Sequence, residues 1–360
     1  MGAKDPTFLG KLKNAWDLYF KKNPELILIL TGSMSGWIEK NILSSTGFFG
    51  RITLDMTLEE LPLSECSAFW NDENKNYIAP YEKFKVLAVT GGVPRYLEEI
   101  IPHLSAEDNI ERLCFRKEGL LFREFDHIFS DLFSRRGDTY REIIKRLASG
   151  SATMNEICSS MKLQKSGVIT EYLDDLVKCG FVSRDYSWKI ISGSLSRLSC
   201  YRLSDNYLRF YLKVILPLKP RIERGDIKRL PNWEGVMGLQ FENLILHNRQ
   251  EIYKLLGIEL DEIVFDNPYF QKNTQNQKGC QIDYLIQNRY NTLFICEIKF
   301  SKHPIGNEII KEVKDKISAI KIGRGFSFRP VLIHVNGVTD AVIDSNFFGN
   351  IIDFGTLLEA

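Results

Sequence analysis

Apolar residues along this chain follow a few distinct spacings, and each spacing predicts a different element. Leu9, Leu12, Trp16 and Leu18 or Tyr19 recur at helical intervals, so Leu9 to Phe20 is predicted as an amphipathic helix. Leu26-Ile27-Leu28-Ile29-Leu30 is apolar without a break, the pattern of a strand buried in a parallel sheet. It runs into the small residues Thr31-Gly32-Ser33, and Thr53 to Met56 predicts one more strand. Such a strand needs partners on both faces and both edges. Two strands are too few, which predicts a missing piece upstream. Helical spacing returns at Tyr81 to Val89, Pro94 to Ile100 and Ser105 to about Phe133, with Ser105 and Asp108 as a capping-box variant.

The middle of the chain is predicted as three short helices and a hairpin. Tyr140, Ile143, Ile144 and Leu147 share a helical face within Thr139 to Ala148. Thr153 can cap a second helix through Met154, Ile157 and Met161, and Leu163-Gln164-Lys165 forms the turn. Ser166 caps a third helix carrying Ile169, Tyr172, Leu173, Leu176 and Val177, which Gly180 ends. Phe181 to Ser183 and Cys200 to Leu203 are strand-like, and the aromatic stretch Ser204 to Tyr211 is helical. Pro217, Pro220, Gly225 and Pro231 then predict a linker, made basic by Lys219, Arg221, Arg224, Lys228 and Arg229.

Strand signals are densest after residue 260. Trp233 to about Tyr253 is predicted helix, Ile263 to Phe265 strand, and Asn273 to Gly279 a polar loop. Gln281 to Ile286 and Thr292 to Phe300 are short, apolar strands joined by the polar turn Gln287 to Asn291. Ile309 to Ile320 follows as a helix with an exposed lysine face that includes Lys311, Lys314 and Lys316. Arg329 to Val335 and Asn350 to Phe354 supply two more strands.

The chemistry concentrates in that hairpin. Glu297 and Lys299 are two apart, so they share a strand face, and an antiparallel partner brings Asp283 to the same end. Carboxylate oxygens with room for water are what Mg²⁺ (or Mn²⁺) prefers, and a nearby ammonium can orient water or offset charge developing on a phosphate. The bland alternative is a strand with one acid and one exposed lysine.

Composition narrows the classes without choosing among them. With 360 residues, 44% hydrophobic and 26% charged, the chain has the makeup of a two- or three-domain globular protein. A net charge of +1 supplies no whole-molecule field for nucleic acid, so any such surface is local. Seven cysteines show neither a CxxC pair nor zinc spacing, and Cys158, Cys179 and Cys296 sit among apolar neighbours as reduced thiols. No apolar run approaches a membrane span and no signal peptide opens the chain, so a cytoplasmic location without a membrane partner is expected.

Three resemblances organise these elements. Asp283, Glu297 and Lys299, spaced D-x13-E-x-K, resemble the PD-(D/E)xK nuclease superfamily, with Ile282 standing where the family name has proline. That resemblance implies a mixed sheet flanked by helices and a completing glutamate on an upstream helix, for which Glu242 is the candidate. Residues 137–216 resemble a winged helix-turn-helix, a fold that often reads DNA with its third helix. Here Glu171, Asp174 and Asp175 would oppose phosphate, and Lys165, Thr170 and Lys178 favour contact; a packing or dimerisation module is the competing reading. Thr31-Gly32-Ser33, Phe49-Gly50-Arg51 and Gly91-Gly92-Val93-Pro94 resemble the second half of an AAA+/STAND ATPase of the archaeal and bacterial type with a C-terminal nuclease-like (DUF234-type) domain. This resemblance implies that Ser33, Arg51, Gly92 and Pro94 lie near a nucleotide, with Arg51 as a charge sensor, although a solvated surface residue is the more ordinary role for an arginine. The Walker A pattern GxxxxGK followed by Ser or Thr is absent, as is a Walker B acidic strand end before residue 26. ATP is therefore expected only in a longer form, with Met1 as an internal start or truncation point.

The expected architecture is α/β and multidomain. Residues 1–135 form a partial ATPase region with a sensor strand and helical lid, 137–216 a winged helix, and 217–360 a mixed α/β restriction-endonuclease-like domain. Two functions compete. One is a Mg²⁺-dependent nuclease, with Asp283, Glu297 and Glu242 on the metal and Lys299 positioning water. The other is an ATP-responsive regulatory or scaffold protein that only binds nucleic acid, a protein partner or a second copy of itself.

Overall fold

A computed structural model describes residues 5–32, 38–70, 78–132, 137–164, 167–227, 232–275, 278–320, 322 and 325–359. The first helix forms as α1 (Phe8–Leu18), but none of its residues is buried. The apolar run behind it does not become a strand. Leu26 to Leu30 has no sheet partner, and Ile27 and Ile29 stand 83% and 74% exposed. Thr53 to Met56 is likewise unpaired. A strand persists only where neighbours satisfy its backbone groups, and the described part of residues 5–59 offers none. The expected sensor strand is therefore not formed.

From residue 60 onward the chain packs. It continues as α2 (Leu63–Cys66), α3 (Pro80–Thr90), α4 (Pro94–Leu97), α5 (Ala106–Cys114) and α6 (Leu120–Leu132). Ser105 caps α5 by accepting the Asp108 amide. The single helix expected from Ser105 to Phe133 is two, divided by the turn Phe115 to Gly119. Three helices follow, α7 (Gly137–Leu147), α8 (Met154–Ser160) and α9 (Gly167–Lys178), and then the antiparallel hairpin of β1 (Val182–Lys189) and β2 (Ser194–Leu203). Thr153 and Glu156 complete a reciprocal capping box on α8, and Gly180 takes φ +77° after α9.

The first part of the predicted proline linker, through Glu223, is instead helical, and Lys228, Arg229 and Pro231 lie outside the described residues. A π-helical turn (Tyr211–Ile215) joins α10 (Asn206–Phe210) to α11 (Leu216–Glu223). Pro217 falls in the first turn of α11 and Pro220 inside it, and the helix continues through both to Glu223. The helix expected from Trp233 to Tyr253 breaks at Asn248 into α12 (Glu234–His247) and α13 (Arg249–Leu256). The Asn248 amide donates to Leu244 and its oxygen accepts the Leu63 N–H at 2.8 Å, so the break ties α12 to α2.

The C-terminal sheet has the order β3 (Ile263–Gln271), β4 (Cys280–Asn288), β5 (Thr292–Lys299), β6 (Ser327–His334), β7 (Asn350–Asp353). The first three strands are antiparallel and the last three parallel, with α14 (Glu308–Ala319) crossing between β5 and β6. α15 (Asp340–Asp344) precedes β7, and α16 (Phe354–Glu359) follows it. Alternation along the strands gives two apolar faces. Tyr284, Ile286, Cys296, Ile298, Val331 and Ile333 meet α3, α12 and α16, where Phe84 packs against Phe241, Phe300 and Phe354 at 5.4–5.5 Å. Leu285, Leu293, Ile295 and Leu332 meet α14 through Ile309 and Val313.

The hairpin β1–β2 packs against that sheet. Trp188 lies against Phe265 and Tyr269, its indole N–H donates to Gln287 at 2.6 Å, and the Gln287 amide returns to Ile190 O. A further core joins α5 and α6 to α7, α9, α10 and α11. No described helix is long and apolar enough to cross a membrane.

Candidate functional site

The hairpin of β4 and β5 brings two of the three predicted acids together. Tyr284 faces Cys296, and the same register carried one residue further sets Asp283 opposite Glu297. The Ile298 N–H donates to Asp283 Oδ2 at 2.9 Å, which fixes one carboxylate oxygen. Glu297 is only 4% exposed. Burial first, and then the Asp283 charge, push its carboxyl up to about 7.

The cation beside these acids is not the predicted one. Lys316 Nζ, from α14, contacts Glu297 Oε2 and lies 3.5 Å from Asp283 Oδ1. Lys299 turns to Glu312 Oε2 at 3.0 Å, and both of those side chains are over 40% exposed. Lys316 was expected on a solvated face, yet its side chain is only 24% exposed. The signal was present in the sequence: Lys316 is three residues after Val313 and seven after Ile309, on the apolar side of the helix.

Glu242 approaches from another direction. It lies half-buried on α12, against the opposite sheet face, and burial followed by the Asp283 charge pushes its carboxyl up to about 7. Among the described residues it has no hydrogen-bonded or ion-paired partner; Arg202 and Arg209 are the cations acting on it. Those two arginines were not predicted, and they belong to a buried clamp around α12. Arg202 pairs with Asp185 at 2.9 Å and donates to Asn243 at 2.6 Å. Arg209 donates to Gln240 Oε1 at 2.8 Å and to Leu203 O at 2.5 Å. The Gln240 amide reaches Ala88 O and Asn206 O, and the Asn243 amide reaches Leu203 O and Ser204 O. Each of these side chains is buried and bonded to another group of the cluster, with only Arg209 Nε left without a partner among the described residues, so α12 is held against residues 88 and 202–209.

The remaining predicted positions are scattered. Arg51 forms a two-pronged pair with Asp17 at 2.9 and 3.1 Å and donates to Gly47 O, tying it to α1. Gly91 (φ +60°) and Gly92 make a close backbone crossing. A Cβ on Gly92 would stand 2.3 Å from Leu61 O, its N–H donates to Glu60 Oε2, and its carbonyl accepts the Leu61 N–H. Pro94 opens α4. Ser33 and Lys165 lie outside the described residues.

Carboxylate oxygens from Asp283 and Glu297, with Glu242 close enough for its charge to be felt, are the donor chemistry a hard divalent cation takes. Among the described residues no three acidic, histidine or cysteine side chains are gathered closely enough to hold a metal together. Two carboxylates of the donor type that Mg²⁺ takes converge, without a third beside them among the described residues. A cavity of about 730 Å³ lies elsewhere, along α5 and α6, lined by Glu99, Arg112, Arg116 and Arg123 among others.

No family model matches the chain. Over 256 residues it is 25% identical to the uncharacterized protein MJECL04 of Methanocaldococcus jannaschii, a match covering 70% of this chain and 56% of that protein. The chain thus spans little more than half of that relative. A crystal structure of protein VC1899 from Vibrio cholerae matches over 68% of this chain and 55% of its own, at 12% identity and a TM-score of 0.28.

Proposed function

We propose that the C-terminal sheet carries a divalent-cation-dependent site that cleaves nucleic-acid phosphodiesters, in the manner of the PD-(D/E)xK nucleases. The observation that carries this reading is the convergence of Asp283 and buried Glu297 on one sheet face, with two lysines beside them. Asp283 and Glu297 would hold Mg²⁺ or Mn²⁺, with Glu242 reaching it directly or through water. Bound there, the ion supplies Lewis acidity and an activated water. The Ile298 N–H keeps one Asp283 oxygen committed and so orients the other. Lys299, on the exposed rim, is placed to meet a phosphate arriving from solvent. In this reading residues 137–216 form a winged helix, preceded by an ATPase-like region without a Walker A pattern.

A second reading has its own support. Lys316 already offsets the charge of both acids, as it would in a purely structural ion pair. Part of the hairpin β1–β2 is also covered by β3 and β4. A regulatory or scaffold protein that binds nucleic acid or a protein partner without cleaving it fits both facts. Incubation with single- and double-stranded DNA and RNA, with Mg²⁺, Mn²⁺ or EDTA, separates the two. Cleavage that needs metal and disappears in Asp283→Asn supports the nuclease. Binding without cleavage under every condition overturns it.

A further inference from the structure

Lys316 stands where the charge balance of the site calls for a cation. Its ammonium touches Glu297 and approaches Asp283 to 3.5 Å, while its backbone is anchored by the buried Ile309 and Val313 on the same helix. The side chain is anchored less firmly. It is 24% exposed and has a flexible stem that can reach solvent. One turn earlier on α14 lies Glu312, now paired with Lys299. Residues four apart on a helix are neighbours, so Glu312 is a ready acceptor for a displaced Lys316.

From this arrangement we infer that Lys316 is a resident counter-cation, competing with a divalent ion for the space between Asp283 and Glu297. Entry of the ion moves Lys316 onto Glu312, and that exchange releases Lys299 from its present partner. The charges support the exchange once both acids are ionised, above the Glu297 value of about 7: two carboxylates and one ammonium leave the cluster at −1, whereas two carboxylates and one divalent ion leave it neutral. Retaining the ammonium beside the ion would set two cations against each other in a partly buried site. The inference rests on the metal-site reading above and gives it a gate, because Lys299 becomes free only when the ion is bound.

The test is Mn²⁺ affinity by calorimetry on the full chain, comparing wild type with Lys316→Gln and Lys316→Arg. Lys316→Gln should bind at least about tenfold more tightly, since a competing charge is gone, and Lys316→Arg should bind no more tightly than wild type. Equal or weaker affinity in Lys316→Gln, or no binding by any form, overturns the inference. Should Lys316→Gln fail to fold, lysine acylation read by mass spectrometry decides on the unaltered protein. Mn²⁺ should then raise the reactivity of Lys316 and Lys299; unchanged reactivity overturns it. Tightened Mn²⁺ binding without cleavage of any nucleic acid would sink the nuclease reading and leave this one standing. Metal-dependent cleavage without tightening would do the reverse.

Discussion

Leu26-Ile27-Leu28-Ile29-Leu30 and Val331-Leu332-Ile333 carry the same message in sequence, and the fold treats them oppositely. Val331, Leu332 and Ile333 are fully buried in β6, hydrogen-bonded to β5 on one side and β7 on the other. Leu26 to Leu30 has neither neighbour and exposes every side chain. An unbroken apolar run therefore states only that a segment can be an interior strand. Whether it becomes one depends on partners elsewhere in the chain, which β6 has and the early run lacks among the described residues. The same contrast holds for polar pairs: Arg202–Asp185 is buried with both side chains 4% exposed, whereas Arg51–Asp17 is about 30% exposed.

Substitution tests that contrast most strongly at the two apolar runs. Ile333→Asp should abolish folding, because it buries a carboxylate without a partner. Ile29→Asp should change urea-unfolding stability by no more than about 0.5 kcal/mol. Similar losses at both sites would break the comparison. Arg202→Ala should cost about 3–5 kcal/mol by leaving Asp185 buried and unpaired. Arg51→Ala should cost less than about 1 kcal/mol in the same measurement.

A pH series sharpens the same point. Burial, followed by the Glu60 charge, pushes the Asp205 carboxyl up to about 7, well above its unfolded value. The folded state then favours the protonated acid, so this residue's contribution is favourable at low pH and is lost as pH rises from about 4 to 7. Asn caps α10 as well as Asp does. Asp205→Asn should therefore match wild type near pH 4 and exceed it by about 1–3 kcal/mol at pH 7.5. A constant difference across that range would count against the shift. At the α8 cap, Thr153→Ala should cost about 1 kcal/mol in thermal unfolding.

Much of this was legible in the residues. The five strands from Ile263 to Asp353, the cap at Thr153 and the glycine end of α9 all follow from local spacing and backbone chemistry. Residues joined only by tertiary structure were harder to see. Arg202, Asp185, Gln240 and Asn243 are polar residues whose burial depends on partners as far as 152 positions away, and no periodicity announces that. Asn248 breaks a helix that its neighbours favour because its side chain serves the Leu63 amide. Lys316 differs, since its place on the apolar side of α14 could have been counted from Ile309 and Val313, while a lysine-rich helix suggested a solvated face.

The account turns on whether Asp283 and Glu297 form a cation site, and thermal unfolding with and without divalent metal asks this most directly. A ligand bound only by the folded state stabilises it by RT ln(1 + [L]/Kd), about 1.4 kcal/mol at ten times Kd. Wild type should melt higher in Mg²⁺ or Mn²⁺ and return to its starting value with EDTA. Asp283→Asn should fold equally well and ignore the metal. A wild-type melt that does not respond to either ion at millimolar concentration would mean that Asp283, Glu297 and Lys316 form a structural ion pair, and the proposed site would be wrong.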